Sequence, residues 1–135
     1  MRRLQLALVA ALIIASCANQ TSDPEAFCEL LGDSIDLSAG TELVPLDDPI
    51  EVAQNMTLYV DLFNEMYEVA PKSIKRDIET IRDFMTEIRD AKQLANGDRM
   101  TEIAAIQRIT ENATGVQAAT ARISAFARNE CGLTL

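Results

Sequence analysis

The sequence predicts an all-α domain: a small antiparallel bundle of four or five helices, stapled by one disulfide. Apolar residues recur in steps of 3 and 4 through three long stretches, which puts them on one face of a helix. No stretch alternates apolar and polar residues as a half-buried strand does. The connections between the periodic stretches are short, which favours antiparallel neighbours. The candidate staple is Cys28 with Cys131, one near each end of the helical region.

Asp23 stands before Pro24 and Glu25. That order reads as a helix start: Asp caps free amides, proline fits the first turn, and Glu suits the positive end of the dipole. The first helix is expected to be short, carrying Phe27, Cys28, Leu30 and Leu31 and ending near Gly32. Residues 33–47, with Gly40 and Pro45, show no clear period and read as a loop with at most one helical turn. Its Ile35, Leu37, Leu43, Val44 and Leu46 are expected to pack on the bundle. Asp48 and Pro49 repeat the start signal. The next helix places Val52, Met56, Tyr59, Phe63, Met66 and Ala70 on one stripe. Leu58, Leu62 and Val69 give it a second apolar edge, so it is expected to pack on more than one side.

Pro71 ends that helix, because the residue before a proline avoids the helical region. A third stripe follows at Ile74, Ile78, Ile81, Met85 and Ile88, widened by Phe84, Ala91 and Leu94. Phe63 and Ile81, mid-stripe on neighbouring helices, are expected to meet in the core. Asn96 and Gly97 form a stop and Asp98 caps the next helix. From there the apolar positions are Ile103, Ile106, Ile109, Ala113, Val116, Ile123, Phe126 and Ala127. Gly115 sits within this run while the stripe stays in phase. One long helix and two helices broken at Asn112–Gly115 both fit. Cys131 and Gly132 close it.

The N-terminus has a different character. Arg2 and Arg3 precede an apolar run from Leu4 to Ala15, then Ile14-Ala15-Ser16-Cys17. A basic start, a short apolar stretch and small residues make a secretory signal. The run is about 12 residues, where a membrane span needs about 20. An aliphatic, two small residues and a cysteine resemble the lipobox of bacterial lipoproteins. The resemblance implies a diacylglycerol on the Cys17 sulfur, cleavage before Cys17 and a fatty acid such as palmitate on the new N-terminus. The alternative is an ordinary signal peptide with Cys17 near the cut by chance. The lipoprotein reading divides the chain into a signal peptide at 1–16, a lipidated Cys17 with its tether at 17–23, and a helical domain at 24–135. It places the domain outside the cytoplasm, anchored to the cell membrane or the outer membrane.

With Cys17 used for lipid, Cys28 and Cys131 are an even pair in an oxidising compartment. A bridge between them closes a loop of about 100 residues, worth about 4–5 kcal/mol by the chain-entropy argument. Two buried free thiols are the alternative. A metal site is disfavoured: two thiolates need further ligands, and the chain has no His.

Removing residues 1–16 takes away Arg2, Arg3 and no acid, so the formal charge moves from −9 to −11. Such a balance argues against a nucleic-acid partner, which needs Lys and Arg on phosphates. It also argues against a surface lying flat on anionic lipid. Without Trp, and with 4% aromatic residues, a stacking platform for sugars or bases is poorly supplied. The absence of His excludes Ser-His-Asp and Cys-His arrangements. The five glycines are scattered, so no phosphate loop is present.

Asp61, Glu65 and Glu68 share a helix face and read as solvated, with Lys72, Lys75 and Arg76 across the turn to balance them. Asp36, Ser38, Gly40 and Glu42 lack the acid density and spacing of a calcium loop. Asn112-Ala113-Thr114 matches a glycosylation sequon, read as coincidence in a bacterial lipoprotein. Met56, Met66 and Met85 lie on core stripes and read as core filling. No catalytic residue, cofactor or metal ligand is expected.

Phe27-Cys28, Ala70-Pro71 before an amphipathic helix, and a last helix ending Cys131-Gly132 together resemble small helical two-cysteine proteins of actinobacteria, secreted or lipid-anchored. That resemblance spans residues 27–132 on few positions. It implies a disulfide-stapled helical domain and no activity. The expected function is a non-catalytic binding or structural module of the cell envelope, held to the membrane through Cys17 and able to meet an envelope protein. The alternative is a carrier of small apolar ligands with a pocket between helices.

Overall fold

A computed structural model describes residues 22–41 and 49–133. The signal peptide at 1–16, Cys17, most of the tether, and Leu43, Val44 and Leu46 lie outside the described residues, as do the side chains of Leu37 and Val52. The described residues form five helices and no strand: α1 Pro24–Thr41, α2 Pro49–Val69, α3 Lys75–Ala95, α4 Arg99–Asn112 and α5 Val116–Glu130.

Local signals act where the sequence puts them. Asp23 accepts from the Ala26 amide at 3.1 Å and caps α1. Asn96 takes a left-handed conformation at φ 46° and Gly97 follows at φ 84°, which ends α3. Asp98 caps α4, accepting from the amides of Met100 and Thr101. Gly115 at φ 90° settles the open question of the last stretch. Glycine reaches that angle at no steric cost, and it stands at the head of a second helix rather than inside a long one.

The expected end of α1 at Gly32 is corrected, and so is the loop expected at 33–47: the helix continues through residues 33–41. Gly32 costs helix propensity, about 1 kcal/mol against Ala, but does not stop a helix unless it turns left-handed. It takes no positive φ. Leu31 is buried and Ile35, one turn on, is half-buried, so the apolar face carries past the glycine. The Ser34 hydroxyl donates to the Leu31 carbonyl at 2.7 Å.

One core cluster holds the domain: Phe27 and Leu31 of α1, Met66 and Ala70 at the end of α2, Ile74, Ile78 and Ile81 around α3, and Ala119, Ile123 and Ala127 of α5. Phe63 and Met85 pack against this cluster, half-buried. Ile81 is thus a core residue, while Phe63 sits at the core's edge and not in it. On α2 the buried Val60 lies about 120° round the helix from Met66. That spread fits a helix with neighbours on two sides, and α2 packs against both α1 and α3. α3 is the hub, touching α2, α4 and α5.

Candidate functional site

Two regions carry features beyond core packing. The first is the end where the chain enters the domain. The Asp23 amide donates to the Val69 carbonyl at 2.9 Å, which seats the start of α1 on the α2–α3 turn. Cys28 and Cys131 form a disulfide with Cα atoms 5.4 Å apart, within the reach such a bond requires. Phe27 and Phe126 stack edge to face beside it, ring centres 5.6 Å apart. Pro24, Glu25, Pro71 and Glu130 complete an open cleft around the bridge. The two cysteines are the only site residues from the sequence that the structure brings together among those described.

The second region is the face of α3 and α4. No residue of α4 is buried. Leu94 is 85% exposed, Met100 75% and Ile103 51%. These three flank one turn. The expectation that Leu94 widens the packed face of α3 is therefore corrected, and Ile103, one of the apolar positions of α4, is exposed while Ile106 and Ile109 are half-buried. The reason is α4's neighbourhood. It packs against α3, so only the side of α4 turned to α3 is covered. Beside these residues runs a groove. α3 supplies Glu87, Asp90, Ala91, Leu94 and Ala95, and α4 supplies Thr101, Ala104, Ala105, Arg108 and Ile109. Each set steps 3, 1, 3, 1, so each is one continuous strip of its helix. Ala91, Ala95 and Ala105, buried or half-buried, make the floor; the exposed Glu87 and Asp90 stand on the α3 rim, and the exposed Ala104 and Arg108 on the α4 rim.

Electrostatics mark two places. Arg122 of α5 donates to both carboxylate oxygens of Asp77 on α3, at 2.7–3.1 Å. The hydrogen bonds to Asp77 hold the guanidinium pKa above its ordinary value. Asp77 is the buried charged residue beside the core, and the sequence reading passed over it. The signal was present: Asp77 and Arg122 each immediately precede a core isoleucine, Ile78 and Ile123. At the head of α4, the Thr101 hydroxyl and the Thr101 and Met100 amides hold the Asp98 carboxyl below the usual range.

The acids expected to be solvated are so: Asp61, Glu65 and Glu68 are exposed. Lys75 and Arg82 each stand 4.5 Å from the centre of the Tyr67 ring, a cation–π arrangement. Met66 is fully buried and Met56 half-buried. Asp36 lies in α1, so the stretch around it is helix and not a ligand loop. Among the described residues no group of three or more Cys, Asp or Glu is placed to hold a metal ion, and no helix is long and apolar enough to cross a membrane. No family model, curated protein or solved structure matches this chain.

Proposed function

We propose that the chain is a non-catalytic, lipid-anchored binding module of the cell envelope, an antiparallel helical bundle whose α3–α4 face takes a protein partner. The observation that carries this reading is the open α3–α4 groove, lined by Leu94, Ile109 and alanines, with Leu94 85% exposed and Met100 exposed at the adjoining turn. Exposed apolar side chains gathered at one place mark an interaction surface, where scattered ones do not. The antiparallel arrangement is supported by the short turns at 70–74 and 96–98, each joining helices that pack together. The anchor is supported by Ile14-Ala15-Ser16-Cys17 and by the run before it.

Anchor and face fit together geometrically. Six residues, Cys17 to Ser22, span at most about 20 Å, so the α2–α3 turn stays near the membrane. α3 starts at that turn and has 21 residues, about 31 Å of helix. The α3–α4 turn therefore lies about 31 Å along α3 from the α2–α3 turn. Both surface clefts open broadly to solvent, which suits a peptide better than a small apolar molecule, so the carrier reading stands second.

Two experiments test this. Cys17→Ser removes the thiol to be acylated and should abolish fatty-acid labelling and membrane retention; equal labelling of the variant refutes the anchor. A photo-crosslinking amino acid at position 104, in cells, should give a protein adduct that the same probe at position 61 does not. Absence of any adduct at 104 refutes the docking face.

A further inference from the structure

We infer that the α3–α4 groove receives an amphipathic helix carrying Lys or Arg along one edge. This rests on the docking face proposed above and names the chemistry of its occupant. Three features of the groove select a helix. Its two walls are strips of matched spacing, residues 87–95 and 101–109. Each strip spans about 12 Å, a little over two helical turns. Its floor is small: Ala91, Ala95 and Ala105, buried or half-buried among the lining residues. Small floor residues let another helix approach closely and leave room for its larger side chains, the mode in which an apolar helix face lies in a groove. Leu94, 85% exposed at the turn, is the apolar side chain such a face covers.

The rim selects the charge. Glu87 and Asp90 stand exposed on the α3 side. Asp90 already accepts from Arg89, while no ion pair is found for Glu87 among the described residues. Arg108 is the one basic group lining the groove and stands on the opposite rim. A bound helix therefore meets carboxylates along one edge. In a mature chain of formal charge −11, the wider field also favours a cationic ligand.

The test uses the full lipidated chain in detergent, with detergent alone as blank, and a labelled 14-residue amphipathic Leu–Lys helix as probe. A Leu–Glu helix of the same pattern is the control. Fluorescence anisotropy should show the Leu–Lys probe binding at least tenfold more tightly than the Leu–Glu one. Glu87→Lys should weaken it at least tenfold and Glu87→Gln severalfold. Ala105→Gln, which fills the floor without changing charge, should weaken it as much as Glu87→Lys. Glu65→Lys, the same charge change on α2, should leave it within twofold. Equal loss in Glu65→Lys and Glu87→Lys means attraction by net charge alone and overturns the proposal. Equal binding of both probes overturns it as well. If the crosslink at position 104 forms in cells while the Leu–Lys probe fails, the basic-helix assignment falls and the docking face stands. If the crosslink is absent, both fall.

Discussion

α4 and α5 come from one continuous apolar stretch of sequence, yet only α5 is buried. α5 sets Ala119, Ile123 and Ala127 into the core, two of them completely buried. α4 buries nothing. Their apolar stepping differs in part: Ile103, Ile106 and Ile109 step 3, 3 and drift round α4, while Val116, Ala119, Ile123 and Ala127 step 3, 4, 4 and hold one face of α5. What surrounds them differs as well. α5 lies against α3 with alanines that permit close approach, and its end is tied to α1 by the disulfide and the Phe27–Phe126 pair. α4 leans on the C-terminal half of α3, around residues 87–95, beyond the break at Gly115. An apolar stripe shows that a helix can be covered; the arrangement of its neighbours decides whether it is.

The comparison breaks most readily at the staple. Replacing Cys28 and Cys131 together with Ser should cost about 4–5 kcal/mol by loop entropy, for a sequence separation of 103. A denaturant melt measures it; a change below about 1 kcal/mol would mean the core alone holds α1 to α5. Phe27→Ala, at a fully buried position, should cost about 3–5 kcal/mol in the same melt.

The sharpest form of the comparison is a matched pair of isoleucines. Ile123→Ala on α5 should cost about 2–5 kcal/mol. Ile103→Ala on α4 should stay within about 0.5 kcal/mol. Equal costs would show that α4 is covered in solution by something the single chain does not supply.

A pH prediction concerns α4 alone. The Asp98 carboxyl has a folded pKa below its reference value of 3.8. Its contribution to holding α4 is thus fully present above that value and is lost as pH falls through the lower folded pKa. Below about pH 4 the protection of the Met100 and Thr101 amides, measured against the unstructured exchange rate at the same pH, should fall, while α5 amides keep theirs. Asp98→Ala should give the same local loosening at neutral pH; uniform loosening of both helices would contradict independent behaviour. The smallest effects belong to Asp61, Glu65 and Glu68, whose single changes to Ala should each shift stability by about 0.5 kcal/mol or less.

Much of the fold was legible because it is written locally. Asp23, Asn96-Gly97 and Asp98 act within a few residues of themselves, so caps and stops followed from residue type, while the break at Gly115 stayed open until its φ of 90° was seen. The stripe Ile74, Ile78, Ile81, Ile88 was read correctly because these positions face the helices packed on α3, whereas Leu94, near its end, has no such neighbour. Gly32 was misread since glycine permits a turn without requiring one, and the helix continued on the strength of Leu31 and Ile35. The groove between α3 and α4 was not legible at all. It depends on how two helices sit side by side, and alanines at 91, 95, 104 and 105 give no signal on their own.

By itself the sequence determined the helical class, most helix boundaries, the acidic balance and the absence of histidine chemistry. Each follows from residue type or from spacing along the chain. Only the tertiary structure decided that Cys28 meets Cys131, that Asp77 is buried against Arg122, and that Leu94, Met100 and Ile103 face solvent. Burial and pairing are properties of residues far apart in sequence, fixed when packing brings some surfaces together and leaves others without a neighbour.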